Sequence, residues 1–259
     1  MKGLTIDAAA WASPWRRRSP GDKVLLAGGL VLCALLLPVW PGSLLVALSA
    51  IGIALGPGGV AGGALARSAR PALVFIVLGA VSIAITWRTG GAPGTGGWGP
   101  TVTRASLTQS VQTTAHALAG TSAMLLLATT TPMSDLLAWA RRRGVPEAVV
   151  DVAGLVYRLL FVLLATATAV RAAQAARLGY ATRRAALRSA AALTAAVLTR
   201  AWSRARRLED GLAGRGLEGP MRVLEDARPS SPRFVRASLG TLAAVVAITL
   251  AARAAGVAR

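Results

Sequence analysis

Apolar residues fall in long blocks along this chain, separated by short clusters of arginine, glycine and proline. A helix needs about 20 mostly apolar residues to cross a hydrocarbon core. Five blocks meet or approach that length, at 23–39, 44–65, 71–87, 106–130 and 237–257. The pattern therefore predicts an all-α polytopic membrane protein with about five transmembrane helices. The first block is short and ends among Pro38 and Pro41. The second carries Gly52/Gly56 and Gly58/Gly62 at small-xxx-small spacing, which serves close helix packing or follows from an Ala/Gly-rich composition.

The polar remainder is mostly arginine. Lys and Arg number 29 against 10 Asp and Glu, and their placement orients the spans. With the N-terminus inside, Lys2, Arg16, Arg17, Arg18, Lys23, Arg67 and Arg70 fall on the cytoplasmic side, as do the 18 arginines between Thr131 and Arg236. Arg88, Arg104, Arg253 and Arg259 are left outside. That asymmetry follows the positive-inside rule. Trp15, Trp40, Trp87 and Trp98 stand near proposed span ends, where indole rings favour the interface. The basic cluster at 16–18 precedes the apolar run 24–37, but no small-residue cleavage site follows, so that run is expected to be a retained first span.

The expected organisation is a cytoplasmic N-terminal segment (1–22), four spans (23–130), a cytoplasmic helical region (131–235) and a last span (236–259). Residues 148–170 are apolar enough to span, interrupted by Asp151 and Arg158. If they crossed, the chain would return through 185–199, which is short and contains Arg188. An arginine at the centre of a lipid span costs about 2.5–3.5 kcal/mol on insertion scales. Both helices are therefore expected to lie at the inner membrane face and pack on each other. Within this region the pattern predicts a short helix over 134–143, stopped by Gly144 and Pro146, then long helices from 147 to about 178 and from about 182 to 215.

Candidate chemistry is sparse. No Asp or Glu lies between Lys23 and Ser134, and the one histidine, His116, stands alone in the fourth span as a packing or hydrogen-bonding residue. Metal binding needs several ligands together, so no metal site and no cofactor are expected. Cys33 lies in an apolar run and has no partner for a disulfide. Residues 94–99 match G-x-G-x-x-G but precede Pro100 and lie between spans, without the strand and helix of a nucleotide site. The low aromatic content and the span-flanking arginines argue against nucleic acid as a partner. A membrane-embedded enzyme acting on lipid or isoprenoid substrates is the alternative function. It would have to use Asp135, Glu147 and Asp151, which form no familiar pair.

The informative feature is a repeated helix end. Ala175-Ala176-Arg177-Leu178-Gly179 closes one long helix and Ala213-Gly214-Arg215-Gly216 the other. In each, an arginine precedes a glycine able to take the left-handed cap conformation. The guanidinium then stands beside the negative end of the helix dipole, as a fork suited to a partner's carboxylates. An ordinary C-cap explains either copy equally well. Arg200, Arg204 and Arg207 add a basic stripe on the last long helix, suited to a partner or to the headgroups of the lipid bilayer, with Glu209, Asp210 and Glu218 near enough to pair.

At these residues the chain resembles the transmembrane T component of energy-coupling-factor (ECF) transporters, of the cobalt-type branch. The resemblance runs through 15–23, 131–137, Gly144-Val145-Pro146-Glu147, Tyr157-Arg158, 174–180 and 200–219. The last two blocks hold the family's two short Ala-Arg-Gly signatures. Leu178 stands where the first signature has glycine, with Gly179 one place later, and Gly214 where the second has alanine. The resemblance implies that Arg177 and Arg215 dock two cytoplasmic ABC-type ATPase subunits, with Ala176, Gly179, Gly214 and Gly216 as small neighbours. It also implies a separate substrate-binding membrane subunit. The implied role is a non-catalytic scaffold of an ATP-driven importer in the bacterial inner membrane, supplying cobalt for cobalamin biosynthesis.

Overall fold

Proline and glycine set most of the helix boundaries. The computed structural model describes residues 5–88, 99–216 and 228–255. The chain divides into two units, Met1–Leu136 with Ala227–Arg259, and Leu137–Asp226.

In the first unit, α1 (Thr5–Ala12) and a 3-10 turn (Pro14–Arg17) precede α2 (Pro20–Leu36), which has Pro20 in its first turn. A cis Trp40–Pro41 peptide lies in the bend that leads to α3 (Leu44–Leu55). Then come α4 (Gly62–Ala84), a two-stranded antiparallel pair β1 (Thr86–Arg88) and β2 (Gly99–Thr101), α5 (Arg104–Thr130) and, late in the chain, α9 (Pro232–Ala254). The short helix α6 (Met133–Arg142) carries the chain into the second unit, which holds α7 (Glu147–Ala176) and α8 (Arg183–Ala213).

The architecture is all-α and polytopic, as the apolar blocks imply. Among the described residues, α4, α7 and α9 have the length and composition of membrane spans, and 39–55 forms a shorter apolar helix. Two expected boundaries move. The block 44–65 is broken after Leu55, because Gly56, Pro57 and Gly58 form a turn. Gly56 and Gly58 leave no room for a Cβ against the preceding carbonyls and serve the turn, whereas Gly52 lies within α3 and faces open space. The next helix starts at Gly62 and runs through Pro71, so Arg67 and Arg70 lie on α4, not in a loop. The pyrrolidine is tolerated here at a cost of one backbone hydrogen bond.

The hub of the first unit is α5, packed on α1, α2, α3 and α4. Its side chains are unusually polar for a central helix. Ser106 and Ser110 donate to the Ala84 and Ala80 carbonyls of α4, at 3.0 and 2.7 Å. Ala119 and Ala123 are fully buried and allow close approach, and Leu126 joins Leu30 and Val46 in the core. Small residues and hydroxyls hold helices together where lipid removes any hydrophobic preference for helix contact over acyl chains. His116 belongs to this scheme. Its Nδ1 lies 2.8 Å from the Ala34 carbonyl, to which it donates, and 3.2 Å from the Ser43 hydroxyl, tying α5 to both sides of the proline bend. Trp15 is buried edge-on against Phe234, with ring centroids 4.9 Å apart, so it is a core residue rather than an interface anchor.

In the second unit α6 ends at Gly144 (φ +85°), two residues before Pro146. Arg141 of α6 pairs with Asp151 of α7. The helices α7 and α8 pack on each other through a short connection. Val150 alone is buried among the described side chains of this unit. Both long helices therefore offer most of their surface to surroundings outside the chain.

Candidate functional site

The α7–α8 turn is locked by its own hydrogen bonds. The Gly179 amide donates to the Gln174 carbonyl at 2.9 Å and the Leu178 amide to the Ala175 carbonyl at 3.0 Å. This is a Schellman closure, which needs a left-handed residue just after the cap. That residue is Leu178 (φ +55°), not Gly179 as the sequence suggested. The hydrogen-bond pattern counts positions from the end of α7, and leucine occupies the one that must turn left. Gly179 is small for another reason. A Cβ there would stand 2.7 Å from Ser189 Oγ and 2.8 Å from the Gln174 carbonyl oxygen.

Side chains complete the lock. Gln174 Nε2 donates to the Ser189 carbonyl of α8 at 3.0 Å, and Ser189 Oγ donates to the Gly179 carbonyl at 2.8 Å. The Tyr180 hydroxyl donates to Gln174 Oε1 at 2.8 Å. Thr182 caps α8 by accepting from the Ala185 amide at 3.2 Å. The result is a fixed backbone from which Arg177 projects, exposed, beside Ala176. Composition and spacing do not reveal Gln174, Tyr180 and Ser189 as a clamp, because its members meet only when α8 folds back on α7.

The far end of α8 repeats the geometry. The Arg215 amide donates to the Leu212 carbonyl at 3.1 Å and the Gly216 amide to the Ala213 carbonyl at 3.0 Å. Gly214 is right-handed, and Gly216 takes the left-handed conformation at φ +67°. Both ends thus place an exposed arginine directly before a left-handed residue, at the negative pole of a long helix. The two arginines do not lie together. A helix of 31 residues separates them, which at 1.5 Å per residue is about 45 Å. Glu218 and Gly219 lie outside the described residues, as do Trp98 and most of the 94–99 glycine motif.

The basic stripe divides. Arg204 and Arg207 line a cleft that they share with Arg158 of α7, whereas Arg200 does not reach it. Glu209 and Asp210 are exposed and form no ion pair among the described residues.

A second polar cluster stands where the chain leaves and re-enters the first unit. Asp135, just before the departure, pairs with Arg228, just after the return, at 2.6 Å. Arg228 also donates to the Arg16 carbonyl. Asp22 accepts from the Ser231 amide at 2.9 Å. Lys23 is 2% exposed and donates to the Thr130 carbonyl at 3.0 Å. Counted from the sequence as a cytoplasmic surface charge, Lys23 is instead a buried structural residue held among these partners. Asp135 and Asp151, two of the carboxylates that an enzyme would need, are therefore engaged in ion pairs. No three His, Cys, Asp or Glu side chains converge among the described residues to hold a metal.

Comparison with known proteins decides the family. The family model CbiQ, cobalt transport protein, matches residues 12–224. The chain belongs to this cobalt transport protein family. It is 38% identical to the cobalt transport protein CbiQ of Rhodobacter capsulatus over 95% of this chain and 98% of that one. It is 33% identical to the uncharacterized protein MJ1089 of Methanocaldococcus jannaschii over 46% of this chain and 44% of the relative. A putative fused cobalt transport protein, CbiMQ of Methanocorpusculum labreanum, is 28% identical over 51% of this chain and 22% of its own length. This chain is thus a multi-pass membrane component of cobalt transport and has a transport role, not a catalytic one.

Proposed function

We propose that the chain is the energy-coupling scaffold of an ATP-driven ECF-type cobalt importer, linking two cytoplasmic ABC-type ATPase subunits to a substrate-binding membrane subunit. The observation that carries this reading is the pair of matching helix ends, each offering an exposed arginine before a left-handed residue. Their separation of about 45 Å along α8 suits two protein partners, each held by one end. A rigid helix carries a displacement at either tip along its length, which is what coupling to an ATPase demands. Region 131–235, with both tips, is on the cytoplasmic side in this reading, as is the N-terminus. The arginine excess there supports that orientation. The fused relative, in which the matching segment is only 22% of a longer transport chain, supports assembly with a further membrane subunit.

The test is charge reversal. Arg177→Glu and Arg215→Glu are each expected to remove one ATPase subunit from the purified complex and abolish cobalt uptake, while membrane insertion stays normal. Undiminished ATPase recovery with normal uptake in both variants would refute the proposal.

A further inference from the structure

The cleft between α7 and α8 includes neither arginine tip, its nearest residue, Leu208, lying about 10 Å along the helix from Arg215. It has a volume of about 390 Å³, within the range of small-molecule sites. Arg158 of α7 and Arg204 and Arg207 of α8 all line it. None of the three has an acidic partner among the described residues. Three like charges around one concavity repel each other, and low-dielectric walls focus their field into it. Those walls are aliphatic: Leu155, Leu159 and Val162 on one side and Leu208 on the other, all half-buried. All three guanidinium-bearing residues are exposed, so an anion can reach them from outside the chain and relieve their like-charge repulsion.

We infer that this cleft binds an anionic phospholipid, its phosphodiester held by Arg158, Arg204 and Arg207 and its acyl chains laid over the leucines. Guanidinium forks match phosphate oxygens in pairs. The apolar surface continues beyond the cleft, because Val152, Val156 and Leu160 of α7 are exposed on the adjoining face. Lipid, rather than an acidic segment of another protein, fits best, since α7 is as apolar as a membrane helix and, at the inner membrane face where the proposed function puts it, meets acyl chains on the faces that α8 leaves open. The lipid neutralises the cleft and supplies the apolar contact that the pair of helices lacks.

The test uses the full chain in neutral detergent, incubated with dioleoyl phosphatidylglycerol or dioleoyl phosphatidylcholine and examined by native mass spectrometry. One phosphatidylglycerol is expected to be retained in preference to phosphatidylcholine. The triple variant Arg158→Gln, Arg204→Gln, Arg207→Gln is expected to lower its apparent affinity about tenfold or more, and the control pair Arg200→Gln, Arg206→Gln by less than about twofold. The single variant Arg158→Gln, with the expected loss smaller but in the same direction, serves if the triple variant does not fold. Equal retention of both lipids, or an equal loss in the control pair, would overturn the inference. Inorganic phosphate competing as tightly as the lipid would reassign the cleft to a free anion, and retention of copurified polypeptide without lipid would reassign it to a protein. Either result also overturns it.

Discussion

Adjacent substitutions in the α7–α8 turn should act in opposite directions. Leu178 holds a left-handed backbone at φ +55° with its side chain 75% exposed. That conformation costs an L-residue about 1–2 kcal/mol. Leu178→Gly removes this cost and sacrifices little burial, but it returns about 0.5–1 kcal/mol through the greater freedom of the unfolded chain. The net local gain is about 0.5–1 kcal/mol. Gly179→Ala does the reverse. Its Cβ would press on Ser189 Oγ at 2.7 Å and on the Gln174 carbonyl at 2.8 Å, two atoms that already carry hydrogen bonds of the turn. Relief requires opening the closure, at about 1–3 kcal/mol for an overpacked site. Hydrogen exchange of the 174–190 segment in the full detergent-solubilised chain reads both effects, because protected amides report local opening. Exchange is expected to slow about two- to fivefold in Leu178→Gly and to quicken about fivefold or more in Gly179→Ala. Faster exchange in Leu178→Gly, or no change in Gly179→Ala, would refute the assignment of the left-handed position to 178 and the steric role to 179.

Three further outcomes follow from the same geometry. On the proposed docking role, with the two tips about 45 Å apart along α8, Arg177→Glu and Arg215→Glu should be additive in ATPase binding, each halving the recovered stoichiometry; loss of both subunits from either single variant would show one shared dock. A double-mutant cycle between Asp135→Asn and Arg228→Gln should give a coupling of about 1–2 kcal/mol in thermal unfolding, since the pair is only partly shielded; strict additivity would show that the pair contributes nothing. Tyr180→Phe removes the hydrogen bond to Gln174 and should cost about 0.5–1.5 kcal/mol locally, seen as faster exchange at Ser189 and its neighbours.

Much of this protein was legible before its fold. Apolar blocks longer than a bilayer is thick predict an all-α membrane protein, since only helices satisfy their own backbone within such a block. Gly144 followed by Pro146 stops α6 as expected, because the signal is local. The block 106–130 forms a helix as expected, but it is too rich in Ser, Thr and Gln to have the composition of a membrane span, and it became the hub because those hydroxyls reach α4 carbonyls. The break after Leu55 was missed because hydropathy does not register a Gly-Pro-Gly turn inside an apolar run.

The two arginines at the tips of α7 and α8 could be named from the chain alone, as could their place beside helix C-termini, because capping depends on residues within one turn. Tertiary structure decided what depends on residues far apart in sequence. It brought Asp135 to Arg228 and Lys23 to Thr130. It set Gln174 against Ser189, and gathered Arg158 with Arg204 and Arg207 while leaving Arg200 aside. Periodicity assigns a residue to a face of its own helix, but only packing determines which other helix meets that face.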